Sequence, residues 1–273
     1  SIIIILVSAL ILSFEWFLIT QNQKQKKFFF FFSLLVFLNL FFSILTNFFF
    51  SITLTIIFSI IILSRIFLKK FNYKNLSWLF YGFIYITIPL IIFFKLKEIE
   101  NGKYILLWLL VIICSTDIFS YISGKLIKGL KIFPKLSPSK TYSGTFLGII
   151  IGTFFGILFS LHYLNLENKY LIFFFPLLIS ISGLFGDLFI SKVKRKFQVK
   201  DSGRILPGHG GLLDRYDSIS FGLIALFFIQ YFFYPFYNIF WQFFLNFEAK
   251  ILCILWLIKK RDFINLSKKN EIV

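Results

Sequence analysis

The chain has 273 residues, 58% of them hydrophobic and 22% aromatic, with a mean hydropathy of +0.86 and a formal net charge of +17. A water-soluble domain of this size cannot hide so much apolar surface, so lipid is the solvent for most of it. The basic residues sit between hydrophobic spans, which suits loops beside an anionic leaflet and argues against a nucleic-acid partner. Cys114 and Cys253 lie in different apolar segments, which argues against a disulfide framework or a Cys/His zinc site.

A membrane span needs about 20 apolar residues. Candidates run over 1–20, 28–46, 50–68, 77–95, 104–123, 144–164, 170–190 and 219–243. No small-residue cleavage site follows 1–20, which is therefore read as a span and not a leader. The two spans within 28–68 are divided only by Thr46-Asn47. Pro235 sits inside the last, as a kink or a turn. As a turn, it makes 236–258 a ninth span. The fold class expected is all-α, a polytopic membrane helix bundle of eight to nine transmembrane helices. Its N-terminal helices would occupy 1–103, and a C-terminal catalytic region with large loops at 124–143 and 191–218 would occupy 104–273. No internal repeat and no soluble domain is evident.

Loop charge orients the bundle. The loops at 21–27, 69–76, 124–143 and 191–218 are basic, and the second-last carries five lysines and no acid. The alternate connections carry almost no net charge. All four basic loops fall on one side, which the positive-inside rule makes the cytoplasm, with the N-terminus outside.

The acids are not scattered. Of six Asp, five lie between 117 and 217, at or near the cytoplasmic ends of spans or in the two large loops. An acid within a span costs about 2.5–3.5 kcal/mol on insertion scales, so it faces a cavity, a cation or a partner. Glu15, the only acid in the first spans, reads as a helix-contact residue. Asp117 lies about six residues, roughly 9 Å of helix rise, from the cytoplasmic end of its span; either Ser115 or Thr116 satisfies it or it serves a site. Asp187 follows Gly183 and Gly186 close to a predicted helix C-terminus, where an acid opposes the macrodipole. Lys192, Lys194 or a divalent metal would compensate it. Asp214 and Asp217 share a face if their segment is helical. They would then bind one cation together, or one would bind metal while the other positions Arg215 or a lysine.

The segment 191–218 packs seven Lys and Arg, three Asp, one His and four Gly into 28 residues. Carboxylates suit a cation, while basic side chains and glycine-loop amides suit phosphates. Pro207-Gly208-His209-Gly210-Gly211 cannot be a helix interior, and its amides can converge on an anion just before a helix N-terminus. His209 has no His or Cys partner nearby and reads as a phosphate contact or proton handler. In the earlier loop, Ser137 and Pro138 fit the start of a helix, which would place Lys140 and Thr141 at another phosphate-favouring N-terminus.

Ser191, Lys194, Arg195, Lys200, Asp201, Gly203, Pro207 to Gly211, Asp214, Arg215 and Asp217 follow the spacing of a long motif, Ser-x-x-Lys-Arg to Asp-Arg-x-Asp. By this match the chain resembles the phosphatidate cytidylyltransferase (CDP-diacylglycerol synthase) family. Lys135, Ser137, Pro138, Lys140, Thr141 and Gly144 resemble the family's Ser-Pro-x-Lys-Thr element. Asp117, Tyr121, Gly124 and Lys125 resemble its upstream Asp element, and Gly186-Asp187 its Gly-Asp pair. The resemblance covers roughly 112–225; the first hundred residues match only in hydropathy.

The resemblance implies transfer of CMP from CTP to phosphatidic acid, giving CDP-diacylglycerol and pyrophosphate in phospholipid biosynthesis. It implies Mg²⁺, with a second cation as an extension, held by Asp187 and Asp214 first, Asp217 and Asp201 next, and Asp117 as outer support. Lys140, Lys194, Arg195, Lys200 and Arg215 would contact phosphates. Ser137, Thr141, Gly208, Gly210 and Gly211 would seat the triphosphate, with His209 beside them. Membrane lipids and a second copy of the chain, as a homodimer, are the partners expected, in a bacterial inner membrane with the site facing the cytoplasm. Two other readings stand beside this one: a CTP-dependent lipid-alcohol kinase, and a cation transporter, whose acids should continue across the membrane.

Overall fold

A computed structural model of the protein describes residues 2–21, 26–67, 73–99, 101–134, 136–164, 169–203 and 210–232. The chain divides into two compact units, Ser1–Ile229 and Gln230–Val273, and the first carries everything below. In chain order the described elements are α1 (Ile2–Thr20), α2 (Lys26–Leu45), α3 (Phe48–Phe67), α4 (Tyr73–Glu98) and α5 (Gly102–Ile127). A hairpin of β1 (Lys131–Phe133) and β2 (Ser137–Thr141) follows, then α6 (Tyr142–Tyr163), α7 (Lys169–Lys196) and α8 (Leu213–Phe232). Five segments are long and apolar enough to cross a membrane: Ile2–Thr20, Ser77–Glu98, Gly102–Ile127, Tyr142–Tyr163 and Ile172–Lys196. Shorter apolar stretches, Phe29–Leu45 and Phe48–Ser64, mark α2 and α3. This is an all-α integral membrane bundle. Pro235 and the ninth span weighed over 236–258 lie outside the described residues.

Phe- and Ile-rich runs would favour strands on a half-buried sheet in water. In hydrocarbon every backbone donor and acceptor must be satisfied within the segment, and the helix does that. Hydroxyls within the spans are satisfied the same way. Ser13, Thr20 and Thr87 each donate to the carbonyl four residues back, at 2.7, 2.9 and 2.7 Å. Thr46-Asn47 does break the 28–68 stretch, and Lys95 Nζ crosses from α4 to the Thr46 carbonyl at 2.8 Å, where a cation complements the end of α2.

The closest helix pair is α5 with α6. Gly144, Gly148, Gly152 and Gly156 recur every fourth residue along one face of α6, and all four are buried. A Cβ at any of them would run into Gly124, Ser120, Thr116 or Ile112 of α5. Small residues at this spacing let two backbones approach in a solvent where the hydrophobic effect does not drive association. Trp108 Nε1 of α5 then reaches the Gly156 carbonyl at 2.7 Å, and Thr116 shares a 2.8 Å hydrogen bond with Ser180 of α7.

Three local expectations change. The basic run after Ser191 is not loop at first, because α7 continues to Lys196. Asp187 therefore sits well inside its helix, where the terminal dipole has little effect. Similarly α5 extends to Ile127, so Asp117 lies deeper than its expected depth. Ser137 does not cap α6. Residues 137–141 pair with β1 (Lys131 with Thr141, Phe133 with Ser137), and the helix starts only at Tyr142. Its N-cap is Thr141, extended at φ −106°, whose hydroxyl accepts from the Gly144 amide at 3.1 Å.

Candidate active site

The C-terminal ends of α5 and α7 and the N-terminal ends of α6 and α8 meet at one end of the bundle, and the chemistry-bearing residues of four sequence segments meet with them. Lys140, in β2 just ahead of α6, pairs with Asp187 of α7 at 2.5 Å. Ser191, one turn on from Asp187, donates its hydroxyl to the same carboxylate at 3.3 Å. Asp217 follows on α8. Its neighbour on α7 is Gly186, where a Cβ would collide with the Asp217 carbonyl, so the two helices touch there backbone to backbone. The carboxylates of Asp117, Asp187 and Asp217 lie within electrostatic reach of one another, and Lys140 and Arg215 also bear on Asp117. Asp217 is 8% exposed and accepts from the Ser218 amide at 2.7 Å. The Ser218 hydroxyl stands between Asp217 and Asp117 and bonds to both.

Neither hydroxyl proposed for Asp117 serves it. Ser115 donates back to Val111 and Ile112, and Thr116 donates to Ile112 and meets Ser180. Asp117 instead lies within electrostatic reach of Lys140, Asp187 and Arg215. The cation opposite Asp187 is Lys140, not Lys192 or Lys194. Among the described residues no three His, Cys, Asp or Glu are close enough together to hold an ion unaided.

Asp214 lies three residues from Asp217 and has different company. Lys194 Nζ of α7 donates to its Oδ1 at 2.8 Å. The backbone amides of Ser202 and Gly211 donate to its Oδ2 at 3.0 and 3.3 Å. Burial pushes its pKa up, but the Lys194 ammonium and the Ser202 amide and hydroxyl outweigh that and hold it below its ordinary value. Gly210 adopts φ +82°, the left-handed region that glycine tolerates, and turns the chain back toward this carboxylate. Arg195 is exposed and its Nε reaches the Leu136 carbonyl at 3.4 Å, bringing the hairpin beside α7. Ser137 and Thr141 lie on that hairpin. Lys200 and Asp201 are exposed at the start of the glycine loop, and Arg215 is exposed on α8. Gly208 and His209 lie outside the described residues.

Three residues that the motif does not contain also build this end. Glu15 of α1 is fully buried and accepts from the Leu212 and Leu213 amides and the Ser202 hydroxyl. Tyr85 of α4 accepts from the Ser220 hydroxyl at 2.9 Å and packs edge-on against Tyr216 at 5.8 Å. Tyr216 in turn donates to the Ile86 carbonyl at 3.2 Å. A lone acid in an otherwise acid-free first hundred residues of spans was the available signal for Glu15. Nothing in the sequence marks Tyr85 or Ser202.

Comparison with known proteins identifies the family. A family model described as "Cytidylyltransferase family" matches residues 1–235. The chain is 36% identical over 165 residues to a phosphatidate cytidylyltransferase of Rickettsia felis, covering 58% of this chain and 73% of that one. It is 39% identical over 152 residues to the phosphatidate cytidylyltransferase of Rickettsia typhi, covering 54% and 67%. The protein of that name from Staphylococcus aureus is 36% identical over 169 residues, covering 61% and 64%. The matched span takes in α1 and Glu15 as well as the charged segment.

Proposed function

Since this chain belongs to the cytidylyltransferase family, we propose that it is an enzyme that transfers CMP from CTP to phosphatidic acid, releasing pyrophosphate and leaving CDP-diacylglycerol in the membrane. The observation that carries this reading is the meeting of Asp117, Asp187 and Asp217 with Lys140 at one end of an apolar bundle, beside a glycine loop held at a helix N-terminus. A nucleotide and a lipid headgroup both bring phosphates, and both reach such a site at the membrane surface.

In the reaction an oxygen of the lipid phosphate attacks the α-phosphorus of CTP. A P–O bond forms, and the bond from the α-phosphorus to the bridging oxygen breaks with its electron pair going to pyrophosphate. The nucleophile is already an anion, so no strong base is required. The obstacle is repulsion between two anions, and catalysis consists of positioning and of fixed positive charge. Lys140 stands against Asp187 and is placed to exchange that carboxylate for a phosphate oxygen. Lys194 and Arg195 line the last turn of α7, and Arg215 the first turn of α8, where they neutralise charge on the triphosphate. The glycine loop offers backbone amides to it.

Mg²⁺ sites in phosphoryl-transfer enzymes use one or two carboxylates and take their remaining ligands from water and substrate phosphates. Asp187 and Asp217, on touching helices and with no third acid closing a cage, fit that donor set. Asp187 and Asp217 would hold the ion, with Asp117 supporting from outside. When bound it supplies charge neutralisation across the reacting phosphates. Asp214, whose oxygens already serve Lys194 and two amides, is assigned to holding the loop. The basic loops support a reading in which this end of the bundle faces the cytoplasm, in a bacterial inner membrane.

The acids gather at one end and do not continue through the bundle, which disfavours a transport pathway. Incubating the purified protein with α-labelled CTP and phosphatidic acid, with and without Mg²⁺, tests the proposal. Labelled CDP-diacylglycerol and pyrophosphate are expected. Release of CDP with a phosphorylated lipid would instead indicate γ-phosphoryl transfer, and absence of both products with Mg²⁺ would overturn the assignment.

A further inference from the structure

The charged segment is anchored by a residue nearly two hundred positions away. The first helical hydrogen bonds of α8 are accepted by the Leu212 carbonyl, from the Arg215 and Tyr216 amides, which makes Leu212 the N-cap residue. Helices normally place Ser, Thr, Asp or Asn there, because a side-chain oxygen must satisfy the unpaired first-turn amides. A leucine side chain has none to offer. The missing acceptor comes from α1. Glu15 Oε1 accepts from the Leu212 amide at 2.9 Å and Oε2 from the Leu213 amide at 2.7 Å. A third bond, from the Ser202 hydroxyl to Oε2 at 3.2 Å, takes in the other end of the glycine loop.

Ser202 and Gly211 bracket that loop and are drawn together at its neck. A Cβ at Gly211 would strike the Ser202 hydroxyl, and Cβ atoms at Gly203 and Gly211 would stand 2.7 and 2.6 Å from the Glu15 oxygens. Asp214 grips the same two residues through their amides. Ser202 is held by Glu15 through its hydroxyl and by Asp214 through its amide.

Glu15 itself is held rigidly. The next residue, Trp16, is fully buried; its indole donates to the Trp78 carbonyl at 2.8 Å and stacks on Tyr85 at 5.5 Å. Gly82 leaves space for that indole. Its carboxylate meets three donors at the N-terminal end of α8, where the helix dipole favours an acid.

We propose that Glu15 is a positioning residue for CMP transfer: supplied by α1, it caps α8 in trans and ties Ser202 to the start of that helix, so fixing the two ends of the glycine loop beside the CTP site. The kinetic part of this claim rests on the function proposed above, whereas the clamp itself does not.

The test uses the full-length protein in detergent micelles, with Glu15→Ala, Glu15→Gln and Ser202→Ala variants. Two readouts are taken. Hydrogen exchange, followed by mass spectrometry of peptides spanning 202–213, reports the clamp. Steady-state kinetics with CTP and phosphatidic acid varied separately reports positioning. Glu15→Ala is expected to speed exchange at these amides about tenfold or more, because their acceptor is gone. It should raise the KM for CTP by about tenfold while the KM for phosphatidic acid stays within about twofold, a split that general destabilisation does not produce. Glu15→Gln keeps one acceptor oxygen and should fall between wild type and Glu15→Ala on both readouts. Ser202→Ala should speed exchange less than Glu15→Ala. If Glu15→Ala does not fold, Glu15→Gln decides the matter by the same two readouts. Unchanged exchange in the folded variants would overturn the clamp. Faster exchange with both KM values unchanged, or raised together, would overturn the positioning role and leave the clamp standing. A wild-type protein that makes no CDP-diacylglycerol overturns the proposed function and, with it, the kinetic half of the inference, while exchange still judges the clamp.

Discussion

Asp214 and Asp217 are three residues apart on α8, and their surroundings differ in kind. Around Asp214 and Glu15 every carboxylate oxygen accepts from a fixed donor: the Lys194 ammonium, the amides of Ser202, Gly211, Leu212 and Leu213, or the Ser202 hydroxyl. Around Asp187, Asp217 and Asp117 the carboxylates lie within electrostatic reach of one another, with Lys140, Arg215, the Ser218 amide and two serine hydroxyls as their counterweights. Of the two acids paired with lysine, Asp187 is the more open, its side chain 30% exposed against 14% for Asp214. Charge placed near a membrane must be compensated. In the neck the protein supplies the compensation itself, and the acids act as fasteners. In the cluster compensation is incomplete, and that leaves room for a cation and phosphates.

The largest effect should come from the cluster. Asp187→Asn is expected to lower the rate of CMP transfer by about 10²–10³-fold, the range seen when one preorganised charge-stabilising group is removed. The melting temperature in detergent should stay close to wild type, because the change relieves crowding among like charges. Asp217→Asn should behave alike. A variant that keeps most of its activity would place Asp187 outside the reacting centre and dissolve the contrast between cluster and neck.

The neck should answer in stability. Lys194→Met leaves Asp214 without its ammonium, and breaking a largely buried pair by removing one partner costs about 3–5 kcal/mol. Lys140→Met, at a more exposed pair, should cost clearly less stability and more activity. Unfolding in denaturant, followed for both variants beside the CMP-transfer rate, makes the comparison directly. The pH dependence follows from the sign of the Asp214 shift. Its folded pKa is depressed, so its contribution is present above its unfolded value, near about 3.9, and is lost as pH falls through the folded value. Wild type should lose stability on acidification in that window, and Asp214→Asn should lose less there. Parallel curves for the two proteins would show that the pair is not what the acid removes.

The same division marks what was legible in the sequence. The cluster could be read because Asp117, Asp187 and Asp217 break a hydrophobic background, the last of them within a dense motif, and basic loops sort spans by side. The motif's spacing did not reveal that Asp214 turns one way and Asp217 the other, because that depends on where Ser202 and Lys194 return in space. Glu15 was visible as a lone acid, yet its partners are backbone amides, which carry no sequence signature. Ser137 read as the cap of α6, but its pairing with Phe133 put it in a strand and left Thr141 to cap the helix. The glycine row on α6 was fully legible, since Gly144, Gly148, Gly152 and Gly156 repeat at four-residue spacing.

That row gives a prediction of intermediate size, aimed at the scaffold under both regions. Gly148→Leu places a side chain against Thr116 and Ser120, and overpacking of this kind costs about 1–3 kcal/mol. Gly148 is remote from the neck and carries no charge, so a lowered melting temperature should come with a CTP KM close to wild type. A raised KM with unchanged melting would mean that α6 moves with the site and does not merely support it.

The smallest effect concerns where α6 begins. Thr141→Val keeps the shape of the side chain and removes the hydroxyl that accepts from Gly144, so it should destabilise the protein by about 1 kcal/mol. Ser137→Ala removes a hydroxyl that caps nothing and should fall within about 0.5 kcal/mol of wild type. Because Lys140 precedes the cap directly, loosening the first turn of α6 also loosens the partner of Asp187. Thr141→Val should therefore slow CMP transfer several-fold, although Thr141 itself belongs to neither group of carboxylates. Equal stabilities for the two variants would return the start of the helix to Ser137 and detach Lys140 from the hairpin that now presents it.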